Sequence, residues 1–147
     1  MLLALILRHR VVRPIPSISA ILVRLPWQAE AARKIAWGKG LNGGQTCVAP
    51  DYVLVHAAIH DGLVAELKRA FEAFYGADPQ ARKGSPDFPR IINDRHHARL
   101  ASLLRGSGGL VIFGGELDAE TRYLAPTLVF GGASALGFFL AQRKATP

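Results

Sequence analysis

Two short runs of consecutive apolar residues, separated by segments of helical period, constrain the fold of this chain more than any other feature. The runs are Tyr52–Val55 and Leu110–Phe113. A strand that is apolar at every position, rather than at alternate positions, is typical of a strand covered on both faces, as in a parallel sheet. Both runs therefore predict buried strands.

Helical patterns surround these two runs. Apolar residues recur at helical spacing over 28–41 and 59–75, and glycines end both segments. A third helix is predicted between Asn93, a suitable N-cap, and Gly106. The intervening stretch 77–90 holds three prolines and predicts an exposed loop.

The last apolar stretch, 123–130, is interrupted by Pro126 and predicts an edge strand. The resulting order is helix, strand, helix, helix, strand, strand. It predicts an α/β fold in which helices pack on a mostly parallel sheet. The length of 147 residues suits one domain.

The net charge of +7 is concentrated at the two ends of the chain. Residues 1–34 contribute +5 and residues 141–147 contribute +2, whereas residues 35–140 hold ten basic and ten acidic side chains. A nucleic-acid-binding domain carries its positive charge on the folded surface, so we expect no nucleic-acid partner. Both terminal apolar runs are shorter than the roughly 20 residues that a membrane span needs.

Cys47 is the single cysteine and the strongest candidate nucleophile. Gly43, Gly44, Gln45 and Thr46 precede it, and a flexible backbone there can point N–H groups at the sulfur and stabilise a thiolate or an oxyanion. The alternative is a buried structural thiol. One cysteine forms no internal disulfide, which favours a reducing, cytoplasmic setting.

The histidines offer a second, weaker candidate site. A Cys–His pair for acyl transfer needs His56 or His60 within hydrogen-bond reach of Cys47. His96 and His97, at the start of the third helix, are expected to be solvated. A single cysteine leaves no credible set of four zinc ligands, so no metal site is predicted.

The run 38–43, Gly-Lys-Gly-Leu-Asn-Gly, matches the dinucleotide-binding pattern letter for letter. That pattern binds pyrophosphate only when a strand precedes it and a helix follows it. Here a predicted helix precedes the glycines and a loop follows them. We therefore assign no cofactor-binding residue to this run.

Several motifs in unbroken order give the chain its family resemblance. They begin with Lys34-Ile35-Ala36-Trp37-Gly38-Lys39 and Asn42-Gly43-Gly44-Gln45-Thr46-Cys47-Val48-Ala49-Pro50-Asp51-Tyr52, and continue through Phe74-Tyr75-Gly76, Ser85-Pro86-Asp87-Phe88, Arg90-Ile91-Ile92-Asn93, Gly114-Gly115-Glu116 and Arg122-Tyr123-Leu124-Ala125-Pro126-Thr127. Over about 29–130 the chain resembles the aldehyde dehydrogenase superfamily, especially its class 3 and coniferyl-aldehyde branch. Gly-Gln-x-Cys is that family's catalytic-cysteine motif.

The resemblance implies a thiohemiacetal mechanism with NAD or NADP as cofactor and a small-molecule aldehyde as substrate. The thiolate of Cys47 attacks the aldehyde, hydride leaves to the nicotinamide, and water hydrolyses the thioester to a carboxylic acid. The backbone N–H of Cys47 supplies one oxyanion donor. Full-length relatives are expected to be homo-oligomers.

The chain also departs from the family. The general base of the family is a Glu in a Glu-Leu-Gly-Gly-Lys motif, which in register falls near 13–17, where no acid occurs. The downstream motif Glu-Glu-Ile-Phe-Gly-Pro does not appear after Phe130, and Gly40 stands where relatives often carry a bulky residue.

These departures predict a partial catalytic domain over 29–130, between a non-matching basic segment, 1–28, and a non-matching tail, 131–147. No cofactor domain is expected, and the chain alone is expected to be inactive. The alternative is a non-catalytic fragment that acts as a binding or assembly piece. The charge imbalance at both ends is typical of a shifted reading frame, so the other forward frames of the flanking DNA are expected to encode the two missing motifs.

Overall fold

The computed structural model describes residues 2–7 and 27–131. Its elements follow the predicted order, with a first strand, a short helix and a short strand added and the last predicted strand divided in two. Residues 8–26 and 132–147, which hold most of the two segments predicted not to match, lie outside the described residues. The elements are β1 (Leu2–Leu7), α1 (Trp27–Gly40), a 3₁₀ turn (Leu41–Gly44), β2 (Tyr52–Val55), α2 (Ala57–Tyr75), α3 (Pro79–Gly84), α4 (Asp94–Arg105), β3 (Leu110–Phe113), β4 (Leu117–Asp118), β5 (Tyr123–Leu124) and β6 (Thr127–Gly131).

The main sheet has four strands in the order β2-β1-β6-β3. Strand β1 is parallel to both of its neighbours, with Ala4 opposite Tyr52 and Leu2 opposite Thr127. Strand β3 is antiparallel to β6. The predicted α/β architecture with a mostly parallel sheet is confirmed, and the first residues of the chain supply an interior strand that the sequence patterns did not predict.

Two predictions about strand position were wrong. Leu110 and Val111 are 65% and 40% exposed, because β3 lies at the end of the sheet that the described strands form and pairs there with β6 alone. The stretch 123–130 is not an edge strand: Pro126 separates β5 from β6, and β6 lies inside the sheet between β1 and β3. Burial of a strand depends on its neighbours, which its own composition does not specify.

The core forms where α1 and α2 pack against each other and against the sheet. Ala32 and Ala36 of α1 and Leu67 and Phe71 of α2 are fully buried. Small alanine side chains let the two helix backbones approach closely, and the larger side chains of α2 fill the space between helix and sheet.

The helix ends follow local capping rules. The Asn93 side chain accepts from the N–H of His96 at 2.9 Å, which confirms the predicted N-cap of α4. The stretch 77–90, predicted to be an exposed loop, contains the short helix α3, which Asp78 caps and Pro79 begins. Proline at the first helical position loses no hydrogen bond, so prolines did not exclude a helix there.

A two-stranded antiparallel sheet, β4-β5, is tied to α3 by a charged pair. Lys83 and Asp118 form an ion pair at 2.7 Å, and the Thr121 hydroxyl donates to the same carboxylate at 2.7 Å. The hydrogen bond from Lys83, followed by that from Thr121, holds the pKa of Asp118 below its usual range.

Among the described residues, no helix is both long enough and apolar enough to cross a membrane.

Because the folded state lowers the pKa of Asp118, its ionised carboxylate stabilises the protein above the unfolded pKa of about 3.9. That stability is lost as the pH falls through the lower folded pKa. We expect Asp118→Asn to destabilise at pH 7 and to make the free energy of unfolding less dependent on pH below about 4. Urea unfolding at pH 7 and pH 3 measures this, with Glu120→Gln as control. Equal pH dependence in Asp118→Asn and wild type contradicts it.

The outer edge of β3 is expected to promote self-association, because an exposed apolar edge strand pairs with other chains. Leu110→Lys places a charge there and is expected to reduce self-association, with a change in unfolding free energy within about 0.5 kcal/mol. Sedimentation velocity over a concentration series measures it. Val48→Lys, at an 84% exposed position outside the sheet, is the control. A wild-type chain that remains monomeric throughout the series disproves the prediction.

Candidate active site

Cys47 lies in the irregular segment that connects α1 to β2, and its side chain is exposed. The N–H of Ala49 donates to the carbonyl of Thr46 at 3.1 Å, which closes a turn with Cys47 and Val48 at its centre. No acceptor among the described residues takes the N–H of Cys47. The exposed position excludes the buried structural thiol and leaves both the sulfur and its own N–H open to a reactant.

Three successive left-handed residues bring the chain from the end of α1 to this turn. Asn42, Gly43 and Gly44 have φ values of 50°, 61° and 73°. Glycine adopts this conformation without a steric penalty, and asparagine tolerates it better than most residues. Gly43 is buried, and a Cβ there would lie 3.6 Å from the Pro89 ring. Gly43 and Gly44 therefore allow the chain to reverse direction, and Gly43 also lies against the ring of Pro89.

The Gln45 side chain joins the cysteine turn to a distant part of the chain. Its Nε2 donates to the carbonyls of Asn42 at 2.9 Å and Arg90 at 3.1 Å. Its Oε1 accepts from the N–H of Ile92 at 2.9 Å. One amide group thus makes three hydrogen bonds, two of them to backbone groups more than forty positions away.

The segment that receives Gln45 is itself held firmly. Phe88 and Ile91 are 4% and 3% exposed, and the Ile91 N–H donates to the Arg122 carbonyl at 3.1 Å. The Arg90 guanidinium lies 4.9 Å from the centroid of the Tyr123 ring and donates to the Lys83 carbonyl. Segment 88–92 is therefore a fixed support for the cysteine turn.

A second tie joins the two ends of the cysteine segment. Lys39, in the last turn of α1, is 3% exposed, and its Nζ lies 2.8 Å from Oδ1 of Asp51, just before β2. The Asp51 side chain stays 65% exposed. A buried ammonium needs a partner because desolvation disfavours its charge. This pair fixes the distance between the end of α1 and the start of β2.

Gly40 has a steric role beside the turn. A Cβ at Gly40 would lie 1.9 Å from the Tyr75 hydroxyl, so Tyr75 occupies space that any larger residue would need. Burial, with Asp87 as the second cause, raises the pKa of Tyr75 above its ordinary value. A cavity of about 580 Å³ opens here, lined by Trp37, Gly40, Leu41, Asn42, Phe74, Tyr75, Pro86, Asp87 and Pro89. The resemblance places a bulky residue at position 40, and the structure provides no room for one.

Three of the described histidines have side-chain partners other than Cys47. His56 accepts from the N–H of Ala58 as the N-cap of α2, and the Nδ1 of His60 lies 2.8 Å from Asp61. His97 was predicted to be solvated, and that prediction was wrong. It is 5% exposed, with Nε2 2.9 Å from the Tyr123 carbonyl, because it faces the core side of α4.

The Gly-Lys-Gly-Leu-Asn-Gly run has the structure that its neighbours predicted. Its first residues, Gly38 to Gly40, belong to α1, and the rest form the 3₁₀ turn and the start of the cysteine segment. It therefore follows a helix rather than a strand, and the helix presents its C-terminal end, which does not favour phosphate. Within the described ranges, no group of three or more His, Cys, Asp or Glu residues could hold a metal ion.

Sequence reasoning singled out Cys47 but not the residues that support it. Gln45 was treated only as a neighbour of the thiol, and the Lys39–Asp51 pair was not considered. The spacing of Gln45, two positions before Cys47, was the available signal. Its partners at Arg90 and Ile92 are backbone groups, so no side-chain identity in the sequence marks them.

Comparison with known proteins shows the family of this chain. The profile of the Aldehyde dehydrogenase family matches residues 27–135. Aldehyde dehydrogenase family 3 member A2 of Mus musculus is 52% identical over 99 residues, which are 67% of this chain and 19% of that protein. The dimeric NADP-preferring aldehyde dehydrogenase of Canis lupus familiaris is 50% identical over 67% of this chain and 21% of its own length.

A solved structure extends the comparison to the fold. The substrate-bound state of Staphylococcus aureus AldH superimposes with a TM-score of 0.67 at 28% sequence identity, covering 96% of this chain and 31% of that one. In this α/β domain the exposed Cys47, on a turn held by hydrogen bonds, is a candidate nucleophile. The chain belongs to the aldehyde dehydrogenase family, and it spans about a fifth of the length of the two relatives above.

The Lys39–Asp51 pair generates a prediction about stability. Asp51→Asn removes the charge that balances a buried ammonium, and we expect it to lower the free energy of unfolding by about 1–3 kcal/mol. Urea denaturation at neutral pH measures the change. The matched control is Glu30→Gln, whose partners Arg33 and Lys34 are exposed, with an expected change below about 0.5 kcal/mol. Similar losses in both variants would show that Lys39 does not depend on Asp51.

Proposed function

We propose that this chain carries the nucleophile-bearing part of an NAD(P)-dependent aldehyde dehydrogenase, an oxidoreductase that converts an aldehyde to a carboxylic acid. In this proposal Cys47 is the catalytic residue. The observation that carries it is an exposed thiol at the centre of a supported turn, inside the region that matches the family. In this proposal residues 29–130 are the catalytic-domain portion, and most of segments 1–28 and 131–147 lies outside the range 27–135 that matches the family.

The chemistry follows from the groups at the turn. The Cys47 thiolate forms a bond to the carbonyl carbon of the aldehyde, and the carbonyl electron pair moves to oxygen. The N–H of Cys47, which has no acceptor among the described residues, is available to stabilise that oxyanion. A nicotinamide held by the complete protein would supply the acceptor for the hydride that the tetrahedral, anionic adduct can release, and hydrolysis of the resulting thioester would return the Cys47 thiol.

The Gly-Lys-Gly-Leu-Asn-Gly run does not fit the pyrophosphate of a nicotinamide cofactor. The run that matches the dinucleotide pattern ends a helix, and its position leaves no helix N-terminus to receive a pyrophosphate. The name of the canine relative, NADP-preferring, supports NADP as one of the two acceptors to test.

The complete protein is proposed to act as a homo-oligomer on a small-molecule aldehyde in the cytoplasm. The word dimeric in the name of the canine relative supports the first part. One relative, in Staphylococcus aureus, is named 4,4'-diaponeurosporen-aldehyde dehydrogenase and is 46% identical over 67% of this chain. Free Cys47 suits a reducing compartment.

A second candidate function is a non-catalytic binding or assembly piece. The exposed outer strand β3, with Leu110 and Val111 open to solvent, favours this alternative, because an open sheet edge can pair with another chain. The two candidates differ in whether Cys47 is needed.

The chain is expected to be inactive alone, because the stretch 13–17, where the general base falls in register, contains no acid. Loss of a general base costs typically 10²–10⁴-fold in rate. The nucleophile is tested directly in a chimera in which residues 29–130 of this chain replace the matching segment of the Mus musculus relative. We expect this chimera to oxidise aldehydes with NAD(P)H production, and its Cys47→Ala variant to lose that production.

The control is the same chimera with Val48→Ala, which changes a neighbouring exposed side chain and leaves the thiol. A folded chimera that produces no NAD(P)H, with an unreactive Cys47, favours the assembly role. Steady NAD(P)H production by the isolated 147-residue chain, above its Cys47→Ala control, overturns the expected inactivity.

A further inference from the structure

The Gln45 side chain joins the cysteine segment, residues 41–51, to a distant part of the chain, whereas the Asp51 side chain pairs with Lys39 at the end of the adjacent helix α1. The Gln45 amide contacts Asn42 within the segment and Arg90 and Ile92 outside it. Both heteroatoms of the amide are used, and their donor and acceptor roles match the backbone groups that face them. Glutamate could keep the contact with the Ile92 N–H, but it could not donate to the two carbonyls.

Apart from Gln45, few contacts hold the turn at residues 46–49 against the rest of the molecule. Cys47 and Val48 are exposed, and the local backbone hydrogen bonds, Gln45 to Asn42 and Ala49 to Thr46, lie within the segment. Hydrogen bonds inside a segment fix its shape but not its orientation relative to the rest of the molecule. The Gln45 amide supplies that orientation from the middle of the segment.

The partner of Gln45 is among the firmly held parts of the chain. Ile91 lies between the two residues that Gln45 contacts, and it is buried and bonded to the Arg122 carbonyl. Arg90 packs on the ring of Tyr123, which is 1% exposed. A rigid path therefore runs from the core at β5, through segment 90–92, to the residue two positions before the nucleophile.

We propose that Gln45 is a positioning residue for Cys47: its three hydrogen bonds hold the turn so that the thiol and the N–H of Cys47 face the same incoming carbonyl. This inference rests on the proposed function, since it assigns Gln45 a part in the reaction of that thiol. If Gln45 positions the turn, its loss leaves Cys47 exposed but changes the direction in which the Cys47 thiol and N–H point. The expected consequence is lower thiol reactivity in a protein that remains folded.

The first test uses the unaltered chain. The N–H of Ile92 has Gln45 Oε1 as its acceptor, and Ile92 is 72% exposed, so its hydrogen exchange reports directly on this contact. We expect protection of the Ile92 N–H of about tenfold or more over a free peptide. Exchange at the free-peptide rate in the folded chain overturns the proposal without any variant.

The second test measures the rate at which iodoacetamide alkylates Cys47 between pH 6 and pH 9. Gln45→Met keeps the side-chain length and removes all three hydrogen bonds, and we expect a rate about three- to tenfold lower at pH 7 with an altered pH profile. Gln45→Glu keeps the acceptor for Ile92, and we expect it to restore Ile92 protection and part of the rate. The control, Gln80→Met, changes an exposed glutamine of α3 and is expected to leave the rate unchanged.

Thermal unfolding of each variant separates positioning from simple destabilisation. A folded Gln45→Met protein with the wild-type alkylation profile shows a structural role only and overturns the proposal. If Gln45→Met does not fold, Gln45→Glu and the Ile92 exchange of the wild-type chain decide. None of these measurements needs aldehyde oxidation, so an inactive nucleophile in the chimera would refute the proposed function without deciding the role of Gln45.

Discussion

The position of the nucleophile depends on the packing of α1 against α2. Ala32 and Ala36 are fully buried where the two helices meet, so the end of α1 is fixed by side chains that leave no room for movement. At the other end of the cysteine segment, β2 is fixed by its pairing with β1. The buried Lys39 and its partner Asp51 join these two ends. The irregular segment between them needs only local conformation and one outside contact to hold Cys47 in place.

The contact of Gln45 with Arg90 and Ile92 shows how a loop can be held in one conformation while its reactive thiol stays exposed. A thiol must reach solvent to meet a substrate, and a segment that exposes its side chains gives up most of its packing. Hydrogen bonds from Gln45 to the held segment 90–92 replace the lost packing with directed contacts. The same solution recurs at Lys83 and Asp118, where an ion pair attaches the small β4-β5 sheet to α3.

Sequence reasoning succeeded where the structure follows from neighbouring residues. Asn93 caps α4 as predicted, and the strands at Tyr52–Val55 and Leu110–Phe113 form where their apolar runs predicted them. It failed where distant partners decide. His97 is buried beside Tyr123, whose carbonyl it contacts, and Leu110 is exposed because β3 has one neighbour among the described strands. The motif around Cys47 predicted the family, while Gln45 and Lys39 passed unnoticed because their partners are far along the chain.

The sequence alone determined the three longer helices, the strands at Tyr52–Val55 and Leu110–Phe113, the Asn93 cap and the identity of the candidate nucleophile, because each depends on residues within a few positions of one another. Only the tertiary structure decided which strand lies inside the sheet, which histidine is buried and what holds the cysteine turn. Those outcomes depend on contacts between segments more than twenty positions apart, such as His97 with Tyr123 and Gln45 with Ile92. A residue's own chemistry permits such contacts, but the folded backbone alone brings the partners together.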